Sequence, residues 1–351
     1  MAVFLWKFMT KNDFARDITS RNLLKRLGIT ERLNQPGVTE LMINRPYECF
    51  IEGSNGIERI EDERLNLNEL INLANVLTIY NNKHITAKEP MHSVTLPDGE
   101  RCHIIIPPAC EAGTVVFSFR KPSLNRFTIN DYLSTGRLAN YRIATNHLKS
   151  SDDIVLHDYE TRLLKLLETR EIEAFFQLAI DKKLNICLVG GTGSGKTTFT
   201  KSLADLVDKE TRIITIEDTH ELDLPNHPNR VHLFYKEHIT AKSVIASCMR
   251  LKPDRIFLTE LRGDEAWDYL SALNTGHPGG LTSVHANDAI SVYYRIAQLA
   301  KESDAGRGMD YQYILNIVKS TIDIVCFFEK TELKEIYYDP LSKYLALQGN
   351  A

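Results

Sequence analysis

The apolar positions of this chain change their period near its middle. From about Val38 to Pro122 they fall in short runs broken by turn residues, with one stretch over 67–81 in which Leu70, Ile71, Ala74 and Leu77 recur at helical spacing. The runs 93–96 and 101–106 flank Pro97-Asp98-Gly99, whose turn chemistry predicts a hairpin. These features predict a small α+β domain over residues 1–130. Polar residues then dominate, with Ser134, Thr135, Gly136, Asn140, Asn146, Ser150 and Ser151 scattered through the run, which predicts a linker over 131–157. Beyond it a helical stretch at 159–182 leads into a regular alternation. Strands are expected at 184–189, 212–216, 255–259, 281–284 and 324–328, with helices between them at 197–207, 241–251, 264–273 and 289–301. Strands alternating with helices imply βαβ units, a largely parallel sheet and ligands at the carboxyl ends of the strands. The expected fold class is therefore α/β, with a second domain over 158–351.

Composition narrows this picture without naming a partner. At 351 residues, 43% apolar and 25% charged, the chain holds enough material for two cores and reads neither as disordered nor as a coiled coil. A formal charge of -4 argues against a protein that coats nucleic acid through a global positive field. The longest apolar stretches, such as 322–328, fall far short of the roughly 18 to 20 residues that span a bilayer. Residues 1–8 lack the ordered regions of a secretory signal. The six cysteines stand singly, as in a reducing compartment, so a cytoplasmic location is expected.

Gly190-Gly191-Thr192-Gly193-Ser194-Gly195-Lys196-Thr197-Thr198 matches the phosphate-loop pattern G-x-x-x-x-G-K-[ST] in full, between an expected buried strand and an expected helix. The glycines let successive backbone N–H groups turn inward around a phosphate, and the helix that follows points its positive end at the anion. In this arrangement Lys196 reaches the β- and γ-phosphates of ATP, and Thr197 offers a hydroxyl to Mg²⁺. Hydrolysis also needs carboxylates to direct water and to support the metal. Glu217, Asp218 and Glu221 follow one apolar strand, and Glu260 follows another, at the sheet edge that also carries the loop. His277 and His285 flank the next strand and point to nucleotide sensing or subunit communication. His227, His232 and His238 fit no usual zinc spacing and read as loop residues. On composition alone, Arg101 and Arg120 are surface charges.

Taken together, these boxes resemble the traffic ATPases of bacterial secretion. Gly190 to Thr198 matches Walker A, and Ile216-Glu217-Asp218-Thr219 with Glu221 the aspartate box. Leu258-Thr259-Glu260-Leu261-Arg262-Gly263 matches Walker B, and Thr275-Gly276-His277 with His285-Ala286-Asn287 the histidine box, all in the expected order. Within that superfamily the chain looks most similar to the VirB-eleven type of type IV secretion ATPase. Val38 to Pro46, Pro107-Pro108-Ala109-Cys110-Glu111 and Phe119-Arg120-Lys121-Pro122-Ser123 resemble its N-terminal domain.

The resemblance implies a RecA-like C-terminal ATPase domain behind an N-terminal domain and a linker. It also implies a homohexameric ring, peripheral at the cytoplasmic face of the inner membrane, that powers substrate transfer and pilus assembly in conjugation. Its partners would be the inner-membrane secretion ATPase and the coupling protein, with no sequence-specific nucleic-acid binding. Carried over by position, Lys196, Glu221, Glu260, Glu217 and Arg120 are catalytic, with Glu221 activating water. Gly191 to Thr198, Arg101, Arg120, His277 and His285 bind nucleotide, and Thr197 and Glu260 hold Mg²⁺. Thr259 departs from the family, which usually has Gly there. Three other readings stand beside this one: a pilus extension or retraction motor, a scaffold that binds ATP without turnover, and a DNA helicase. The acidic balance and the lack of aromatic-basic interleaving disfavour the helicase.

Overall fold

The computed structural model describes residues 11–53, 56–121, 126–145, 154–236 and 238–349. The readings made for residues 1–8, for Pro122 and Ser123, and for Asn146, Ser150 and Ser151 lie outside the described residues. The chain forms two compact units, Met1–Leu124 and Asn125–Ala351.

In the first unit, helices α1 (Lys11–Arg26) and α2 (Ile29–Leu33) precede β1 (Val38–Ile43), β2 (Glu48–Gly53) and β3 (Gly56–Glu61). Helix α3 (Leu67–Tyr80) follows, then β4 (Met91–Thr95), β5 (Arg101–Ile105) and β6 (Val116–Arg120). The strands form one antiparallel sheet in the order β3-β2-β1-β6-β5-β4. Burial alternates along β5 and β6, so the apolar side chains line one face. Leu41, Ile43, Ile104, Phe117 and Phe119 pack from that face in one core with Leu70, Leu73 and Leu77 of α3. Asn66 caps α3 by accepting the Glu69 N–H. Of the helical run expected there, Ile71 alone faces solvent. The hairpin forms as expected, with Gly99 at φ 97 and the Leu96 N–H donated to the Glu100 carbonyl at 2.8 Å.

The second unit opens with α4 (Ile129–Ser134), β7 (Arg142–Ala144), α5 (Asp158–Glu168) and α6 (Ile172–Asp181). It continues with β8 (Ile186–Val189), α7 (Lys196–Ala204), β9 (Ile213–Glu217), β10 (Arg230–Phe234), α8 (Ala241–Cys248), β11 (Arg255–Leu258), α9 (Glu265–Asn274) and β12 (Leu281–Val284). Last come α10 (Ser291–Glu302), α11 (Asp304–Arg307), α12 (Tyr311–Thr321), β13 (Ile324–Glu329), β14 (Glu332–Tyr338) and α13 (Pro340–Leu347). Eight strands form one sheet in the order β10-β9-β11-β12-β8-β13-β14-β7, parallel except for β13 with β14. Alternate residues feed two cores on opposite faces. Ile186 and Leu188 join Phe175, Phe176 and Phe199, while Cys187 and Val189 join Ile256, Tyr269 and Ile296. Strands β8, β9, β11 and β12 are consequently buried along their whole length, which is why they read as unbroken apolar runs.

Two expectations are corrected here. The described part of the supposed linker is structured: α4 starts at Ile129, and β7 pairs in parallel with β14. Apolar anchors inside the polar run explain this. Tyr132 is buried edge-on against Phe199, 5.0 Å between ring centroids, and the Phe127 carbonyl accepts from Ser202 Oγ at 2.5 Å. Arg126 ion-pairs with Asp205 beyond the end of α7. Secondly, the helical stretch 159–182 is two helices. It breaks where Arg170 adopts φ 59, outside the helical region. Among the described residues no helix is long and apolar enough to cross a membrane.

Candidate active site

The loop between β8 and α7 is shaped by its glycines. Gly190 sits at φ 145, and a Cβ there would stand 2.2 Å from the Phe328 carbonyl oxygen, so no side chain fits. Gly193 at φ 70 and Gly195 at φ 92 turn the chain into the start of α7. Gly191, Thr192 and Gly193 are exposed, whereas Ser194 is buried and its Oγ has no hydrogen-bond partner among the described residues. Lys196 Nζ donates to the Gly190 and Gly191 carbonyls, 2.7 Å each, and so lies folded across the loop. The first N–H groups of α7 have no partner within the helix. A glycine-lined concavity, an unpartnered buried hydroxyl, an ammonium and a helix N-terminus suit a phosphate chain.

Carboxylates stand at the ends of neighbouring strands. Thr197 Oγ1 donates to Glu221 Oε2 at 3.2 Å, which brings the expected metal-binding hydroxyl and the expected water-directing carboxylate together. Hydroxyl and carboxylate oxygens are hard donors of the kind Mg²⁺ takes, so the residues present fit that ion. Glu217 differs from expectation. It is fully buried, its Oε2 accepts the Glu221 and Leu222 N–H groups at 2.8 Å each, and its Oε1 accepts from Thr215 at 2.9 Å. Both oxygens are engaged within the turn, so Glu217 positions Glu221. Burial works to raise its pKa, but the approach of His220 and His232 and the hydrogen bonds from those two amides outweigh it and hold the carboxyl well below the usual range.

Glu260, two residues beyond the end of β11, meets His285 Nε2 at 3.1 Å and Arg262 Nη2 at 2.8 Å. Burial opposes ionisation of Glu260, yet Arg262, His285 and Lys196 together lower its pKa. Arg262 also reaches Asp218 at 2.8 Å and so ties the strand end of β9 to that of β11. The sequence offered no signal for this bridge, because it depends on which strands are neighbours. Burial first and Lys196 second depress the pKa of His285 below the ordinary histidine value, leaving it neutral near pH 7. Thr259, where the family usually has Gly, turns its hydroxyl back to the Ile216 carbonyl at 3.4 Å.

His277 lies elsewhere. It precedes β12, whose Leu281 pairs with Ile186 and whose Val284 pairs with Val189, so it sits at the end of the sheet opposite Gly190, roughly 10 Å or more away at the rise of a strand. Within this unit it does not join the phosphate loop, in contrast to His285. In the first unit Arg101 and Arg120 are directly paired across β5 and β6, and Arg120 also faces Glu40 of β1 at 3.8 Å. The two arginines thus lie side by side on one sheet. His232, read as a loop residue, is in strand β10, and His227 is buried with Nε2 3.1 Å from the Val207 carbonyl.

A parallel sheet with a strand-loop-helix phosphate cradle, and with carboxylates closing on the loop from adjoining strand ends, defines a phosphate-loop ATPase. The comparisons with known proteins agree. A family model described as type II/IV secretion system protein matches residues 24–327. The type IV secretion system protein VirB11 of Bartonella henselae is 35% identical over 93% of this chain and 96% of its own length. That of Brucella suis is 36% identical over 89% and 88%. Among solved structures, the Brucella suis VirB11 ATPase, crystallised in complex with sulphate, covers 97% of this chain and 100% of its own with 34% identity and a TM-score of 0.54. The pilus retraction motor PilT, at 16% identity and a TM-score of 0.57, shares the fold. The chain belongs to the VirB11 family of type IV secretion system proteins.

Proposed function

We propose that this chain hydrolyses ATP to drive substrate transfer and pilus assembly in a bacterial type IV secretion system, working as a homohexamer at the cytoplasmic face of the inner membrane. The observation that carries the reading is the approach of Glu221 to Thr197 beside Lys196: a carboxylate held, through Glu217, at the residue that follows the loop lysine. In this reading the backbone of Gly191 to Gly195 and the Lys196 ammonium hold the β- and γ-phosphates, with Ser194 and Thr198 completing the cradle. Thr197 and Glu260 would hold Mg²⁺, which when bound neutralises charge on the phosphates. Glu221 accepts a proton as water oxygen bonds to the γ-phosphorus and the bond to the ADP oxygen breaks. Neutral His285 donates to Glu260 and keeps that carboxylate oriented.

Arg101 and Arg120 supply positive charge to the nucleotide, a role that rests on the family's pattern. His277, remote from the loop of its own unit, serves communication between subunits. The partners are the inner-membrane secretion ATPase and the coupling protein of the same machine. Sizing of the 40.0 kDa chain with and without ATP-Mg²⁺, with phosphate release followed in parallel, tests the proposal. Sustained release from a ring of six chains is expected. Assembly without turnover would make the chain a scaffold, and neither assembly nor turnover would refute the reading.

A further inference from the structure

Beside the turn that carries Glu221, three ligand-type side chains converge at the edge of the second sheet. Glu217 ends β9, His220 follows three residues later in the turn, and His232 comes from edge strand β10, where it pairs with Thr215. Glu217 Oε1 lies 3.4 Å from His220 Nδ1 and 3.7 Å from His232 Nδ1. One ligand atom from each residue lies within 4.8 Å of the others. The imidazole rings meet edge to face, 4.5 Å between centroids, with Phe234 against His220 at 5.8 Å.

These separations are long for an N–H···O hydrogen bond, whose usual length is about 2.9 Å. They are close to the edge of a tetrahedron with bonds of about 2.0 to 2.1 Å, which is about 3.3 Å. The carboxylate is also prepared as a ligand, because its second oxygen is fixed by the Glu221 and Leu222 amides at 2.8 Å each. The imidazoles are partly open to solvent, at 28% and 19% side-chain exposure, so an ion can reach them from outside. Thr215 Oγ1, 2.8 Å from His232 Nδ1, takes part in the resting hydrogen-bond chain.

We propose that Glu217, His220 and His232 form a binding site for a divalent transition-metal ion of the zinc class. A two-nitrogen, one-carboxylate set suits zinc, whereas Mg²⁺ and Ca²⁺ prefer oxygen throughout. Each histidine binds through Nδ1 as the Nε2–H tautomer, and any proton on Nδ1 passes to solvent as the ion enters. The site escaped the sequence because its ligands are brought together by parallel strand register and not by a short spacing. Its consequence is mechanical: the ion pins the turn from Glu217 to Leu222, which carries Glu221.

The full chain, free of nucleotide and Mg²⁺, is titrated with Zn²⁺ against a chromophoric chelator and with Co²⁺ by visible absorption. One ion per chain is expected, with a nitrogen- and oxygen-ligated Co²⁺ spectrum and affinity about tenfold or more weaker in His220→Ala and in His232→Ala. His220→Gln, which keeps the turn polar, guards against misfolding and should show the same loss. Saturating Zn²⁺ should slow phosphate release by the wild type and spare His220→Ala. Affinity unchanged by the histidine substitutions, thiolate bands in the Co²⁺ spectrum, or equal Zn²⁺ inhibition of both proteins would each overturn the site. Because binding is read without nucleotide, its failure would leave the ATPase reading standing.

Discussion

The two units solve the burial problem differently, and the difference decides how each presents its chemistry. The first unit covers one face of an antiparallel sheet, so alternate side chains of β5 and β6 stay near the surface, and Arg101 and Arg120 come from such positions. The second buries both faces of a parallel sheet, which confines polar chemistry to the strand ends, where Glu217, Glu260 and His285 are found. The first can thus exchange exposed charges at little cost to its core. In the second, the site's groups are wired into the ends of buried strands, with Glu217 fixed by two backbone amides and Glu260 by Arg262 and His285.

Substitutions should separate the two designs. The largest effect is expected for Lys196→Ala, which removes the ammonium from the loop while leaving β8 and α7 packed. Turnover should fall by about 10²- to 10³-fold, with an unchanged melting temperature in calorimetry. Glu217→Ala strands two turn amides and should destabilise the second unit by about 3 kcal/mol in denaturant titration while also lowering turnover through Glu221. Arg101→Ala and Arg120→Ala should each weaken nucleotide binding by about tenfold, a loss of about 1.4 kcal/mol, with no change in stability.

The smallest effect concerns acid. In the first unit Asp62 is burdened by burial, but Arg64 and Arg32 bond to it and lower its pKa. A depressed carboxylate stabilises the fold above its unfolded value of about 3.9, and that contribution is lost as pH falls through the lower folded value. Acid titration of Asp62→Asn should therefore show a flatter decline in first-unit stability below pH 4 than the wild type. An unchanged slope would remove Asp62 from the account.

How legible these features were in the sequence follows from the same contrast. Strands β8, β9, β11 and β12 stood out because burial on both faces makes them continuous apolar runs, and the phosphate loop because its conformation is local. Edge strand β10, half-exposed along its length, and β14, which carries Lys334 and Glu335, have no such signature. Strand β7 hid in a polar run because three residues suffice when β14 supplies the partner. The bridge from Arg262 to Asp218 and Glu260, and the position of His277 at the far end of β12, depend on strand order and direction, which no spacing in the chain reveals.

The central claim is that Glu221 directs water at a nucleotide held by the loop, and calorimetry joined to phosphate release on Glu221→Gln tests it most directly. The variant should bind ATP-Mg²⁺ with wild-type affinity and release phosphate at least about 10²-fold more slowly. Turnover at the wild-type rate, or loss of binding in step with turnover, would contradict the account.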